Sequence, residues 1–370
     1  MQFNKVIGQQ KLKQHLIRET QSEKISHAQL FLGKPGYGTL ALALAFSQYI
    51  LCADRTDDDS CGKCPACVKV TNLQHPDLHF SYPSVLANSK TASGIFSFWR
   101  EQVLNTPYFD LNHWIDIIDE KGRRPVIGTD ESMEIIKRLN LKSFEGGMKI
   151  MIIWEANEMN TTAANKLLKI LEEPPLNTLF ILISESSDLM LQTILSRTQM
   201  LKVPRIETEE LVAHLKNTAQ LSASNAESIN ARAEGDVIQA LELISDHESK
   251  EKDLFIELMR VCYKKDVLEM IAWSEKMALT SREQQKSFLK YALHMFRQSM
   301  LKNYTDDMLL RVSADEAAFL KNFAKFISGN NILDFMKTFN DGHYHLERNA
   351  NARILFTNIC FQVMRYIHVA

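Results

Sequence analysis

The sequence predicts an α/β core, a parallel sheet flanked by helices, followed by a small helical domain and an all-α C-terminal domain. Three observations predict it. An apolar run at 28–32 ends at Gly33 and passes through a glycine-rich turn into a helical pattern at 39–50, which is the opening of a βαβ unit. Two more continuous apolar runs, 149–154 and 179–184, enclose an amphipathic helix at 163–171, as buried parallel strands do. Beyond residue 205 the apolar spacing is helical and no strand pattern recurs.

The composition fits several domains. The chain has 370 residues, 45% of them hydrophobic and 24% charged, which excludes a disordered chain, a collagen-like repeat and a disulfide mini-protein. The apolar stretches are too short to span a bilayer. The opening residues Met1-Gln2-Phe3-Asn4-Lys5 lack an apolar signal core, so a cytoplasmic protein is expected. A net charge of −2 means that any nucleic-acid contact must come from a local patch.

In chain order, the turn Gly33-Lys34-Pro35-Gly36-Tyr37-Gly38-Thr39-Leu40 has the frame of a phosphate loop, with glycines at its first and sixth positions between strand and helix. A working loop then needs Lys for the terminal phosphates and Ser or Thr for magnesium. Here Thr39 and Leu40 stand there. A nucleotidase of this layout also ends a later strand in Asp-Glu, whereas Ile150-Met151-Ile152-Ile153 runs into Trp154-Glu155. Lysine, hydroxyl ligand and metal carboxylate are thus all missing, and each such group is commonly worth about 10²–10³ in rate. Gly33, Gly36, Gly38 and Thr39 are expected to hold ATP weakly or not at all, and an ordinary strand–helix turn is the competing reading.

Cys52, Cys61, Cys64 and Cys67 follow with the spacing C-x8-C-x2-C-x2-C. Clustered thiolates in a reducing compartment favour a metal over disulfides. Four of them suit tetrahedral zinc in a structural role. An iron–sulfur centre competes, but its run wants a further Cys three residues on, and Val68-Lys69-Val70-Thr71 stands there. The module, rich in turn residues, is expected to protrude from the first helix. His75-Pro76-Asp77 reads as a turn into a strand at 78–82, with a histidine ligand as the other reading. Cys262 and Cys360 sit in helical apolar patterns and read as core residues.

Residues 83–128 read as an insertion of one or two helices, with Asp110 as N-cap ahead of Leu111, Trp114, Ile115 and Ile118. Its role is not legible. Glu172-Glu173-Pro174-Pro175 stops the helix at 163–171, and 200–203 can form a last strand before Pro204. Helices are expected at 207–218, 225–233 and 236–244, then around 282–301 and 349–369. The predicted domains are 1–204, carrying the cysteine module (52–67) and the insertion, then 205–247, and then 248–370 as a helical bundle for assembly.

Several motifs together carry a family resemblance. They are Val6-Ile7-Gly8-Gln9-Gln10, Ser26-His27-Ala28-Gln29-Leu30-Phe31 before the loop, the four-cysteine module, Asn165 to Pro175, and Leu195-Ser196-Arg197-Thr198. In this order the sequence resembles the delta-prime subunits of the bacterial DNA polymerase III clamp loader, an AAA+ family. In that family the last motif reads Ser-Arg-Cys, so Thr198 departs from it. The match is good over 1–205, by pattern over 206–247, and by length and helicity beyond.

The resemblance implies an AAA+ core, a helical lid and a collar domain packed with sister subunits. It implies that Arg197 reaches into the ATP site of a neighbouring subunit, where a guanidinium supplied in trans is worth about 10³–10⁵ in rate. A surface arginine in a weak salt bridge is the alternative. Active subunits keep an Arg where this chain has Ile238. The implied partners are the gamma/tau ATPase and delta subunits, the sliding clamp indirectly, and primer–template DNA, which Lys166 and Lys169 would meet if they are not merely solvated. An active ATPase subunit or related remodeller, which would hydrolyse ATP alone, is the alternative function. A zinc-dependent DNA-binding module, which would bind DNA tightly alone, is a third.

Overall fold

The computed structural model describes residues 1–219, 223–245, 248–304, 310, 312 and 314–368. The last residue of the helix expected at 349–369, and 220–222 and 246–247 of the expected small helical domain, lie outside the described residues. The chain forms two compact units, one of residues 1–218 with 234–239, the other of 219–233 with 240–370.

The first unit is built on a five-stranded sheet, β1 (Ala28–Leu32), β2 (Leu78–Ser81), β3 (Lys149–Ile153), β4 (Thr178–Ser184) and β5 (Gln199–Lys202). The strand order is β2-β3-β4-β1-β5, and every pairing is parallel. β1, β3 and β4 are buried along their whole length, as parallel strands covered on both faces must be. β5 is the exposed edge.

Helix α1 (Gln10–Gln21) precedes β1, and α2 (Thr39–Leu51) follows it. Residues Thr39 to Tyr49 of α2 are all buried, so this helix is apolar all round because it has no solvent face. The short α3 (Pro65–Thr71) closes the cysteine segment. On one sheet face, α6 (Thr129–Asn140) and α7 (Thr161–Glu172) bury Ile135, Leu139, Leu167 and Leu171 with Met151 and Ile153. Ser132 Oγ, donating to Ala163 O at 3.0 Å, fixes α6 against α7.

The segment 83–128 contains α4 (Phe96–Asn105) and α5 (Leu111–Ile118). Asp110 caps α5 as its sequence suggests, accepting from the His113 N–H at 2.8 Å. The segment encloses an aromatic cluster. Tyr82 stacks on Trp99 with ring centroids 4.2 Å apart, and Trp99 meets Phe109 and Trp114 at 5.6 and 5.5 Å. The Trp114 indole N–H donates to Pro83 O at 2.9 Å.

After the short α8 (Gln192–Leu195) and β5 come α9 (Thr208–Ala219), α10 (Ala223–Ala233) and α11 (Val237–Ser245). They are followed by α12 (Glu248–Lys264), α13 (Val267–Ala278), α14 (Arg282–Tyr304), α15 (Ala314–Phe323), α16 (Ile332–Glu347) and α17 (Ala352–Ile367). The second unit's core joins Phe255, Phe288, Phe296, Phe335, Phe339 and Phe356, with Cys262 and Cys360 fully buried among them. No helix among the described residues is long and apolar enough to cross a membrane.

Candidate phosphate loop and metal centre

β1 delivers Gly33 to the C-terminal edge of the sheet, where its N–H donates to Ser184 O at 3.1 Å. The chain then folds into a single 3-10 turn, Pro35–Tyr37. Within it Tyr37 N–H donates to Lys34 O at 2.9 Å, and Gly38 N–H to Pro35 O at 3.1 Å. Gly38, at φ 86°, starts α2 in the left-handed region. Thr39 and Leu40 are buried in the first turn of α2, 1% and 2% exposed.

Two side chains that sequence reasoning had not connected with the loop lie against it. A Cβ placed on Gly36 would overlap the Asp236 carboxylate, with Oδ2 2.9 Å away. A Cβ on Gly38 would sit 3.0 Å from Cε1 of Tyr108. The Tyr108 hydroxyl accepts from the Ile7 N–H at 2.9 Å.

Trp154 is 1% exposed. Its N–H extends the β2–β3 ladder by donating to Ser81 O at 2.9 Å. Its ring meets Phe109 at 4.9 Å, Trp99 at 5.3 Å and Trp114 at 6.5 Å. The strand stops there because Glu155 takes left-handed angles, φ 50° and ψ 53°. Burial pushes the Glu155 carboxyl up to about 8, helped by the charge of Glu185. A carboxyl raised in this way favours its neutral form, which is poorly suited to bind a metal.

Arg197 follows α8 in a turn closed by its own N–H to Ile194 O at 3.0 Å. Its guanidinium donates to Glu172 Oε2 from Nε at 3.1 Å, and to Thr193 O and Ser196 Oγ from Nη1 at 3.0 and 3.3 Å. Glu172 stands on α7, Thr193 on α8 and Ser196 at the end of α8, none of them on the glycine loop. Asn160 caps α7 by accepting from the Ala163 N–H at 2.8 Å. Thr161, Thr162, Lys166 and Lys169 are exposed on that helix.

The four cysteines come together. Their Sγ atoms all lie within 4.8 Å of one another, with Cys52–Cys64 and Cys61–Cys67 each at 3.9 Å. Zinc–sulfur bonds of about 2.3 Å in a tetrahedron put neighbouring sulfurs about 3.8 Å apart, so the cluster fits such an ion. Backbone N–H groups of Cys61, Cys64 and Cys67 donate to Sγ of Cys52, Cys61 and Cys64 at 3.3, 3.3 and 3.4 Å. Burial raises the Cys64 thiol, but the N–H groups of Cys67 and Ala53 outweigh it and bring it down to about 6.

Residues 53–58 of the module are exposed, as its turn-rich sequence suggests, but its far end is tied down. Asp59 accepts from the N–H groups of Phe3 and Asn4 at 2.9 and 3.0 Å, and Gln2 Nε2 donates to Ser60 O at 2.7 Å. The N-terminal residues therefore strap it down. His75 stands apart from the cluster, with Nδ1 accepting from the Asp77 N–H at 3.2 Å and Nε2 3.1 Å from Glu145 Oε2.

The profile of the family described as "DNA polymerase III, delta subunit" matches residues 8–207. The chain is similar to DNA polymerase III subunit delta' of Escherichia coli K12, 29% identical over 185 residues, which are 50% of this chain and 44% of that protein. It is also similar to subunit delta' of Bacillus subtilis 168, 27% identical over 236 residues, 64% of this chain and 59% of the relative. Subunit tau of Bacillus subtilis 168 is 26% identical over 257 residues, 68% of this chain and 38% of that protein. The chain thus spans about half the length of the two delta' relatives.

Proposed function

The chain belongs to the DNA polymerase III delta-subunit family and is delta-prime-like, and from that premise we propose that it is the clamp-loader subunit that hydrolyses no nucleotide itself and completes a neighbour's ATP site. The observation that carries this reading is Trp154. It stands where a nucleotidase of this layout keeps its metal carboxylate, and it is walled in by Phe109, Trp99 and Trp114. Thr39 in the lysine position and Leu40 in the hydroxyl position agree with it.

Arg197 supplies the active part. Its partner Glu172 is well exposed and Arg197 itself about a third exposed, and such surface pairs are worth about 0–1 kcal/mol. A terminal phosphate brought by a neighbouring subunit offers the guanidinium more charge and bidentate geometry, so it displaces Glu172. The neighbours would be the gamma/tau ATPase and delta subunits. Residues 205–247 would serve as lid and 248–370 as collar. The sliding clamp would be engaged indirectly, and primer–template DNA would lie near Lys166 and Lys169 in a cytoplasmic complex.

Zinc held by Cys52, Cys61, Cys64 and Cys67 would be structural, because all four positions of a tetrahedral ion are taken by protein. Co-purification at native level with mass identification of partners tests the assignment. Recovery with replication ATPase subunits is expected. Recovery alone, together with rapid ATP turnover by the isolated chain, would favour an active ATPase instead.

A further inference from the structure

We propose that the glycine loop is filled from within, by the Asp236 carboxylate and the Tyr108 phenol, so that nucleotide is kept out by occupancy and not merely by the missing lysine. This stands on the geometry of the loop and does not depend on the clamp-loader assignment. It separates failure to bind from failure to hydrolyse.

A phosphate loop works by aiming consecutive backbone N–H groups into an open cradle at a helix N-terminus. Here two of those donors are turned inward and a third is missing. Pro35 has none, and Tyr37 and Gly38 donate to the loop's own carbonyls, Lys34 O and Pro35 O. The cradle itself is closed. Gly36, Gly38 and Thr39 are buried, Gly36 lies under both oxygens of Asp236, and Gly38 lies under the Tyr108 ring.

The plug is held at each end. Asp236 Oδ1 accepts from the N–H groups of Ile238 and Gln239 at 3.0 and 3.2 Å, capping α11. Tyr108 is fixed through Ile7. Gln9 Nε2 donates to Tyr37 O at 3.1 Å and to Pro204 O at 2.6 Å, which ties the turn to the chain beyond β5. A phosphate entering this cradle would meet a carboxylate of its own sign in place of a lysine. The Asp236 carboxylate reaches Gly36 from a segment tied to the chain beyond β5 by the Ile206 N–H, which donates to Gly235 O at 3.1 Å.

The experiment compares two variants of the full chain. Thr39→Lys restores the lysine and leaves the plug. Thr39→Lys/Tyr108→Ser/Asp236→Ser also opens the cradle while keeping a capping hydroxyl at 236. Binding is read by fluorescence polarisation with a fluorescent ATP analogue and magnesium. We expect no saturable binding to the wild type or to Thr39→Lys up to about 1 mM, and at least about tenfold tighter binding to the triple variant. Equal behaviour of the two variants, in either direction, overturns the proposal, as does saturable binding to the wild type.

Hydrogen exchange on the wild type keeps the test independent of how the variants fold. The Tyr37 and Gly38 amides are expected to exchange at least about 100-fold more slowly than in an open loop, unchanged by magnesium–ATP. Fast exchange, or protection induced by ATP, overturns the proposal.

Discussion

Trp154 packs against Phe109 with ring centroids 4.9 Å apart, so the end of β3 is sealed by a residue from the segment between the cysteine module and α6. The first prediction follows from this contact. Trp154→Asp restores the side chain of a working metal site but replaces a buried indole with a small carboxylate. Truncating a buried Trp costs about 3–5 kcal/mol, and burying a charge adds to that. The variant should unfold at distinctly lower urea concentration and show no gain in ATP turnover. Turnover rising above the wild-type background would show that Trp154 was all that stood between this fold and hydrolysis.

Arg197 gives the second prediction. The ion pair with Glu172 is partly solvated, with its carboxylate well exposed, so Arg197→Ala should change stability by less than about 1 kcal/mol. In the reconstituted complex the same substitution should lower DNA-stimulated ATP turnover at the adjoining site by about 10³–10⁵-fold. Glu172→Ala should leave that turnover intact, because it frees the guanidinium and removes nothing from it. Full turnover with Arg197→Ala would leave the arginine as an ordinary surface residue.

The cysteine cluster makes a third prediction that needs no partner. Elemental analysis of the purified chain should find about one zinc per chain, with no visible absorbance of an iron–sulfur centre. Chelation should lower the melting temperature and expose the thiols to alkylation, because the ion joins the end of α2 to α3. The N-terminal strap through Asp59 should loosen at the same time. Iron and labile sulfide in place of zinc would overturn the metal's identity while leaving its ligands.

These sites were not equally legible in the sequence. The strands at 28–32, 149–153 and 178–184 were, because a parallel strand covered on both faces must be apolar throughout. The cysteines were, because tight spacing alone brings thiols within reach of one ion. The surroundings of Trp154 were not. Trp114 was legible as part of a helix, but its partners Trp99 and Phe109 lie among short helices and irregular turns, and the spacing of one helix does not announce which side chains from other elements converge on it. Asp236 was legible only as the start of a helix, since capping is local and its approach to Gly36 spans most of the first unit's sequence. The strap over the cysteine module depends on single hydrogen bonds from residues 2–4 to Asp59 and Ser60, which leave no pattern at all.

Glu155 supplies the last prediction, a pH dependence of stability. Burial and then the charge of Glu185 raise its carboxyl from the ordinary 4.5 to about 8 in the folded chain, with Glu158 and Asp110 adding to the push and Asn157 opposing it. Between those two values the unfolded chain has already lost this proton and the folded chain still holds it. The folded state therefore binds more protons, and stability from this group falls as pH rises through the window. The slope is at most about 1.4 kcal/mol per pH unit, and it flattens above the folded value. Glu155→Gln keeps the shape and the left-handed backbone requirement but removes the titration. Urea unfolding at pH 5 and at pH 8.5 should show the variant gaining on the wild type by several kcal/mol, roughly 2–4, as pH rises. A difference between the two chains that stays constant across this range would mean that Glu155 is ionised in the folded protein, and its carboxylate would then need a partner beyond Asn157.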